Sequence, residues 1–202
     1  MTTTQRPFLS PSSSLADREQ ARKVAGLVVM AVATSKSSYP EHSSAVANLS
    51  RAVGLELVLG EQALQVLALG ALLHDVGKLS VPGALLHKSG SLTQHEREYI
   101  EGHSEMGARM IEQIWCLRRV APVIRHHHER YDGSGYPDGL EGEEIPLTAR
   151  IVAATDAYDA MVRGRPYRES RSPTEAIGEL KRGAGSQFDS EVVAILSRVA
   201  VP

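Results

Sequence analysis

Apolar side chains recur at steps of three and four residues along most of this chain, which is the spacing of one face of an α-helix. The pattern predicts a first helix over 17–33 and a second that carries His42 and continues to about Leu55. A central helix is expected over 61–76, because its apolar residues form a stripe wide enough to be buried. No strand-like alternation of any length occurs, so the sequence predicts an all-α fold.

Capping residues and a proline mark the helices that follow. Thr93 and Glu96 have capping-box spacing, so a helix is expected to begin there and to carry His103 in its interior. Residues 109–130 are predicted to be helical again, divided at Pro122.

The last part of the chain is predicted to hold three more helices. One carries Asp156 and Asp159 in its later turns. Another begins at Ser172-Pro173, where Glu175 completes a capping box, and the last follows Asp189. We therefore expect a single helical bundle that is extended by C-terminal helices.

The composition indicates one domain of ordinary size. The chain has 202 residues, of which 42% are hydrophobic, and this is enough for one sizeable core. Residues 1–16 are rich in Ser and Thr and are predicted to be a disordered leader, which leaves 17–202 as the helical domain. No apolar stretch is long enough to cross a bilayer, so we expect a soluble protein without a membrane partner.

Charge and cysteine content narrow the possible functions. The formal net charge is −2 and no run of Lys or Arg exceeds two residues, which argues against a nucleic-acid partner. The single cysteine, Cys116, excludes an internal disulfide and fits a reducing compartment. A cytoplasmic location is therefore expected.

Residues able to bind a metal are spread over five of the predicted helices. They are His42, His74, Asp75, His103, His127, His128 and Asp156. A mixed set of imidazoles and carboxylates favours Fe, Mn or Zn. One bridging carboxylate can hold two ions, which would activate a water and polarise a phosphoryl group for in-line attack.

Most of these residues also have a simpler explanation. For His42, the alternative is a half-exposed histidine without a partner. The three consecutive histidines at 126–128 cannot all face inward from one helix. His74-Asp75 fits an ion pair at a helix end, and Asp156 fits an ion pair with an arginine. Against these alternatives, Asp75 and Lys78 at the end of a buried helix need compensating charge, which a divalent metal and an anionic substrate would supply.

Two further segments suggest a substrate site. The loop from Asp132 to Gly139 holds Tyr136 between a glycine and a proline, which indicates a rigid functional loop rather than a simple chain reversal. Downstream, Arg163, Arg165 and Arg168 have the guanidinium chemistry that binds phosphate oxygens; the alternative is a solvated surface.

Taken together, these motifs resemble the HD-GYP domain of the bacterial HD phosphohydrolase superfamily. The resemblance rests on His74-Asp75 with Gly77-Lys78 and on His127-His128-Glu129 with the segment 132–137, and it covers about 35–200. It implies an HD-type helical bundle with a GYP loop. It also implies a phosphodiesterase that opens cyclic-di-GMP to linear pGpG and often proceeds to GMP.

The resemblance implies metal ligands as well. Those of the HD core would be His42, His74, Asp75 and Asp156, with Asp75 bridging, and the GYP branch would add His103, His127 and His128. Members that bind three metals carry a glutamate four residues before the first histidine, where this chain has Ser38. The adjacent Glu41 would point elsewhere on a regular helix. We therefore expect two divalent ions, Fe or Mn.

The substrate contacts are implied in the same way. Lys78 would contact the phosphate or the nucleophilic hydroxide, and Arg165 and Arg168 would clamp the substrate phosphate. Gly135 and Tyr136 belong to the loop that would border the nucleotide.

Three functions remain open from the sequence. The first is a metal-dependent cyclic-di-GMP phosphodiesterase, and the second is a catalytically weak module that binds a cyclic dinucleotide or acts as an adaptor. The third is an HD phosphohydrolase that acts on another nucleotide. No receiver, GAF or PAS module is expected before the domain, because too few residues precede it. Regulation would then come from signalling proteins acting in trans.

Overall fold

The structure is a computed structural model that describes residues 23–24, 26–28, 40–163 and 170–201. Within these ranges the α-helices are α1 Pro40–Glu56, α2 Glu61–Leu73, α3 Gly83–Leu86, α4 Gln94–Glu101, α5 His103–Glu112, α6 Ala121–His126, α7 Leu147–Arg163, α8 Pro173–Arg182 and α9 Ser190–Ala200. Short 3-10 helices cover Val76–Ser80, Trp115–Val120 and Gly142–Glu144. The described residues contain two isolated β-bridges and no strand, so the predicted all-α fold is confirmed.

Two apolar clusters form the core, and α2 packs against both. The larger one joins α1, α2 and the C-terminal helices α7 to α9 through buried residues such as Val53, Ile151 and Leu196. The smaller one joins the end of α2 to α5 and α6, and includes Ile111 and Ile124. The end of α2, which delivers His74 and Asp75, therefore lies where the two clusters meet.

Three helix starts agree with their predicted caps. Thr93 accepts from the backbone N–H of Glu96 and the Glu96 side chain accepts from the N–H of Thr93, which completes a capping box at α4. Ser172 and Glu175 form the same arrangement at α8. Asp189 caps α9 by accepting from the backbone N–H groups of the next turn.

The central helix is shorter than predicted. It ends at Leu73 rather than 76, and a 3-10 helix begins at Val76. The reason is a tertiary contact, because a Cβ at Gly77 would lie 1.8 Å from the carbonyl oxygen of His103. The chain must turn at this point to let the two backbones approach, and glycine alone leaves the space.

The segment before the histidine triplet also departs from prediction. His103 is the first residue of α5, because the helix that starts after Thr93 is interrupted at Gly102, a residue that weakens helices. Residues 109–130 are not one helical stretch: α5 ends at Glu112, a 3-10 helix follows, and Pro122 lies in the first turn of α6 where its missing N–H costs nothing. The sequence pattern did not predict α3.

Several predictions fall on residues that the structure does not describe. These are the leader 1–16, most of the first helix 17–33, Ser38, Arg165 and Arg168. Residues 23–24 and 26–28 are helical, as predicted. Among the described helices, none combines the length and the apolar content that a membrane span requires.

Candidate metal centre

Three buried histidines are held by the same backbone contact. In each, Nδ1 lies within hydrogen-bonding distance of the carbonyl oxygen three residues earlier: His74 with Ala71 at 2.7 Å, His103 with Ile100 at 2.6 Å and His127 with Ile124 at 2.7 Å. A carbonyl can only accept, so Nδ1 must carry the proton. In the neutral imidazole Nε2 then has a free lone pair, which is the form of histidine that binds metals.

The carboxylate of Asp75 lies at the centre of these imidazoles. Its Oδ1 is 3.4 Å from Nε2 of His103, and its Oδ2 is 3.5 Å from Nε2 of His74 and 2.6 Å from Nζ of Lys78. The two oxygens therefore face two different histidines.

Two groups of ligand atoms meet at this residue. One contains His42, His74 and Asp75, and the other contains Asp75, His103, His127 and His128. Within each group the ligand atoms lie within 4.8 Å of one another. We call these six residues together with Asp156 the cage.

Unpaired buried nitrogens indicate that the cage is suited to a metal. Nε2 of His103 and Nε2 of His127 are buried without any hydrogen-bond partner. Buried polar atoms are nearly always paired, and an imidazole nitrogen with a free lone pair is satisfied by a metal ion. The donor set and these unpaired nitrogens fit divalent metals, so the His/Asp clusters are able to bind them.

Asp156 reaches the cage from α7. Its Oδ1 lies 3.0 Å from Nε2 of His42 and 3.9 Å from Nε2 of His74. The sequence therefore named seven residues that the structure brings together from α1, the end of α2, α5, the end of α6 and α7. Of the three consecutive histidines, 127 and 128 face the cage and His126 belongs to another group, as their spacing required.

The sequence assigned no role to Asp159. Its Oδ2 lies 2.6 Å from Nδ1 of His42, and Arg163 donates from Nε to the same carboxylate at 2.8 Å. Asp159 thus orients His42 in the way that backbone carbonyls orient His74, His103 and His127. The available signal was its position one turn after Asp156 on the same helix face. The sequence grouped Arg163 with Arg165 and Arg168 as candidate phosphate-binding residues, but its side chain pairs with Asp159 instead.

The pKa values follow from burial and from the close charges. Burial opposes a positive charge on His42, but its hydrogen bonds to Asp156 and Asp159 outweigh this and raise its pKa to about 9. Burial and the neighbouring histidines lower the pKa of His128 to about 3 and put that of His127 well below its usual range. Burial alone would raise the pKa of Asp75, but His74 and Lys78 hold it well below its usual value. The imidazoles at 127 and 128 are therefore neutral and ready to bind a cation.

The GYP loop packs against one of the cage histidines. The ring of Tyr136 lies 4.9 Å from that of His128, and the N–H of Tyr136 donates to the carbonyl of His128 at 3.3 Å. A Cβ at Gly135 would lie 2.3 Å from the backbone nitrogen of Arg130, so this close approach requires glycine. The loop therefore lies beside the cage, where the sequence predicted a border to the substrate.

Glu41 does not face the cage. Its side chain is 91% exposed and lies 3.6 Å from Nη1 of Arg163. The neighbour of His42 therefore does not replace the carboxylate that would hold a third metal.

Comparison with known proteins agrees with this geometry. Residues 26–192 match the family described as HD domain. The chain is 40% identical over 164 residues to the cyclic di-GMP phosphodiesterase response regulator RpfG of Xanthomonas campestris pv. campestris, a match that covers 80% of this chain and 43% of the relative. It is 36% identical over 169 residues to the 3'3'-cGAMP-specific phosphodiesterase 1 of Vibrio cholerae, covering 83% and 39%.

The fold is shared with solved structures. An HD-G"Y"P protein from Bdellovibrio bacteriovorus superposes with a TM-score of 0.68 at 21% identity, covering 92% of this chain and 64% of that one. The chain spans less than half the length of the two curated relatives. Since the family match extends over most of the sequence, the chain belongs to the HD domain family.

Proposed function

We propose that this chain is a metal-dependent phosphodiesterase that hydrolyses cyclic-di-GMP to pGpG, GMP or both, with two divalent ions, Fe or Mn. The observation that carries the proposal is the position of Asp75, whose two oxygens face different histidines and which belongs to both groups of candidate ligands. The relatives named above support the choice of a cyclic dinucleotide as substrate.

In this proposal the two halves of the cage would hold one ion each. One ion would be held by His42, His74 and Asp156 and the other by His103, His127 and His128, and Asp75 would serve both halves. When bound, such a pair of ions lowers the pKa of a bridging water and polarises a phosphoryl oxygen. The protein contributes four imidazoles fixed by their Nδ1 contacts, those of His42, His74, His103 and His127, so little reorganisation is needed.

The substrate would approach from the side where Asp75, Lys78 and Asp156 lie. Their side chains are 21%, 27% and 20% exposed, whereas those of His74 and His103 are at most 2% exposed. The ammonium of Lys78 would contact the phosphate or the attacking hydroxide from this open side. A positive charge there favours an anionic ligand.

The residues that would contact the nucleotide are inferred from the sequence. Arg165 and Arg168 would clamp the substrate phosphate, and Gly135 and Tyr136 would border the nucleotide. The position of the Tyr136 ring against His128 supports a place for this loop at the edge of the cage.

The test is hydrolysis by anaerobically purified protein loaded with Fe(II) or Mn(II). We expect cyclic-di-GMP to be converted to pGpG or GMP, and a panel with 3'3'-cGAMP and other nucleotides measures the preference. Asp75→Ala should abolish turnover because it removes the bridge. Arg168→Ala should mainly raise KM. The reverse pattern would show that the two roles are misassigned.

A catalytically weak binding or adaptor module is the second candidate, and the serine at position 38 favours it because the third-metal carboxylate is missing there. Binding of cyclic-di-GMP without turnover, by protein with two bound ions, would select this function. In either case we propose a cytoplasmic location and regulation by signalling proteins in trans.

A further inference from the structure

Buried side-chain atoms without a partner fall into two places in the described residues. There are four such atoms: Nε2 of His103, Nε2 of His127, Nδ1 of His126 and Oε2 of Glu129. The first two line the cage, where a metal would satisfy them. The other two lie in a second group, formed by His126, Glu129 and Asp138, that the proposed reaction does not use.

The separations in this second group match those in the cage. Nδ1 of His126 lies 3.5 Å from Oε1 of Glu129 and 3.6 Å from Oδ2 of Asp138. Neither contact qualifies as a hydrogen bond, which leaves the imidazole nitrogen unsatisfied. Two ligands of a tetrahedral zinc ion lie about 3.4 Å apart, given metal–ligand distances of about 2.1 Å. The three groups are thus spaced as metal ligands rather than as a hydrogen-bonded set.

The surroundings already hold both carboxylates in place. The Glu129 side chain is fully buried, and its Oε1 accepts from the backbone N–H of Asp138 at 2.8 Å. Arg125 donates to both oxygens of Asp138 at 2.7 Å. Ligating carboxylates commonly have such partners, because a second hydrogen bond fixes their orientation.

The net charge around this second group favours the binding of a cation. Glu129 and Asp138 bring two negative charges and Arg125 brings one positive charge, which is also shared with Glu105 at 3.4 Å. A buried carboxylate oxygen without a partner is costly, and a cation would remove that cost.

We propose that His126, Glu129 and Asp138 bind a divalent transition-metal ion of the zinc class, at a structural site separate from the cage. One imidazole and two carboxylates suit such an ion, with water as a further ligand. The ion would tie Asp138 in the GYP loop to the segment that carries His127 and His128. This site does not depend on the proposed function.

The test is the zinc content of the whole chain after equilibration with Zn²⁺ and removal of free metal. Glu129→Gln removes the ligand charge but keeps an oxygen that can accept from the N–H of Asp138. We expect Glu129→Gln to bind one zinc ion fewer per chain than the unmodified protein, and His126→Gln to lose the same ion. His95→Gln is the matched control, since that histidine is 98% exposed, and it should lose none.

Crystals of the unmodified protein soaked in Zn²⁺ locate the ion without any variant. We expect an anomalous peak between Nδ1 of His126 and the two carboxylates. Equal zinc content in Glu129→Gln and unmodified protein, or zinc peaks confined to the cage, would overturn the inference. Neither measurement reads activity, so a chain that hydrolyses no cyclic dinucleotide would still decide this question.

Discussion

His42 and Asp159 are joined by a contact of 2.6 Å between Nδ1 and a carboxylate oxygen, although 117 positions separate them in the chain. The contact fixes the imidazole so that Nε2 faces the cage, 3.0 Å from Asp156. His74, His103 and His127 use a backbone carbonyl for this purpose, and no single side-chain substitution removes a carbonyl. His42 is therefore the cage histidine whose orientation can be tested by changing its partner.

We expect Asp159→Ala to weaken metal binding by about 10–100-fold, the usual effect of losing the partner of a metal-bound histidine. Competition against a chelator measures this affinity. The metal affinity of Asp159→Asn should lie between those of Asp159→Ala and the unmodified protein, because asparagine keeps an acceptor but loses the charge. Glu191→Ala, at an exposed position on α9, serves as the control and should bind metal normally.

Metal binding should depend on pH through His42. In the metal-free protein its pKa is raised to about 9, so it carries a proton at pH 7 that the incoming metal must displace. Affinity should therefore increase from pH 7 to pH 9, with proton release that is measurable by titration calorimetry in buffers of different ionisation enthalpy.

The stability of the metal-free protein, unlike its metal affinity, should decrease as the pH rises. A raised pKa means that protonated His42 stabilises the fold fully below about pH 6.5, and that this contribution is lost as the pH rises through about 9. For the preceding prediction, a metal affinity that stays constant from pH 7 to pH 9 would contradict the assignment of His42 as a ligand.

Gly77→Ala should destabilise the fold and disturb the cage together. Its Cβ would lie 1.8 Å from the carbonyl oxygen of His103 and 2.7 Å from the backbone nitrogen of Gly107, and backbone atoms cannot rotate away. We expect a loss of about 1–3 kcal/mol in the free energy of unfolding, measured by urea denaturation, with weaker metal binding. Gly83→Ala is the control, since nothing lies within 4 Å of its Cβ position.

A buried pair of hydroxyls links the helices that carry His42 and Asp156. Oγ of Ser50 lies 2.7 Å from Oγ1 of Thr155, which itself donates to the carbonyl of Ile151 at 3.0 Å. Either hydroxyl can be the donor in the pair.

Thr155→Val should cost about 1–3 kcal/mol, since it removes the partner of the buried Ser50 hydroxyl, whereas Ser50→Ala should cost about 1 kcal/mol because Thr155 can still donate to the carbonyl of Ile151. The double variant should be less destabilised than the sum of the two, as measured by denaturation of all three proteins. Additive losses would mean that the two hydroxyls do not interact.

Local sequence determined much of this molecule. The helical periodicity predicted the all-α fold, and the caps at Thr93, Ser172 and Asp189 placed three helix starts correctly. These features follow from contacts within a few residues, which a sequence displays directly. The identity of the candidate ligands was also readable, because few side chains can bind a metal and the motifs around them resemble one family.

Tertiary structure decided the rest. The early end of α2 results from the contact of Gly77 with His103, and the role of Asp159 results from its contact with His42. Which nitrogen of each histidine faces the cage depends on the partner of the other nitrogen, and that partner is set by the fold. Periodicity records which face of a helix is buried, but distances between residues far apart in the chain arise only when the helices pack.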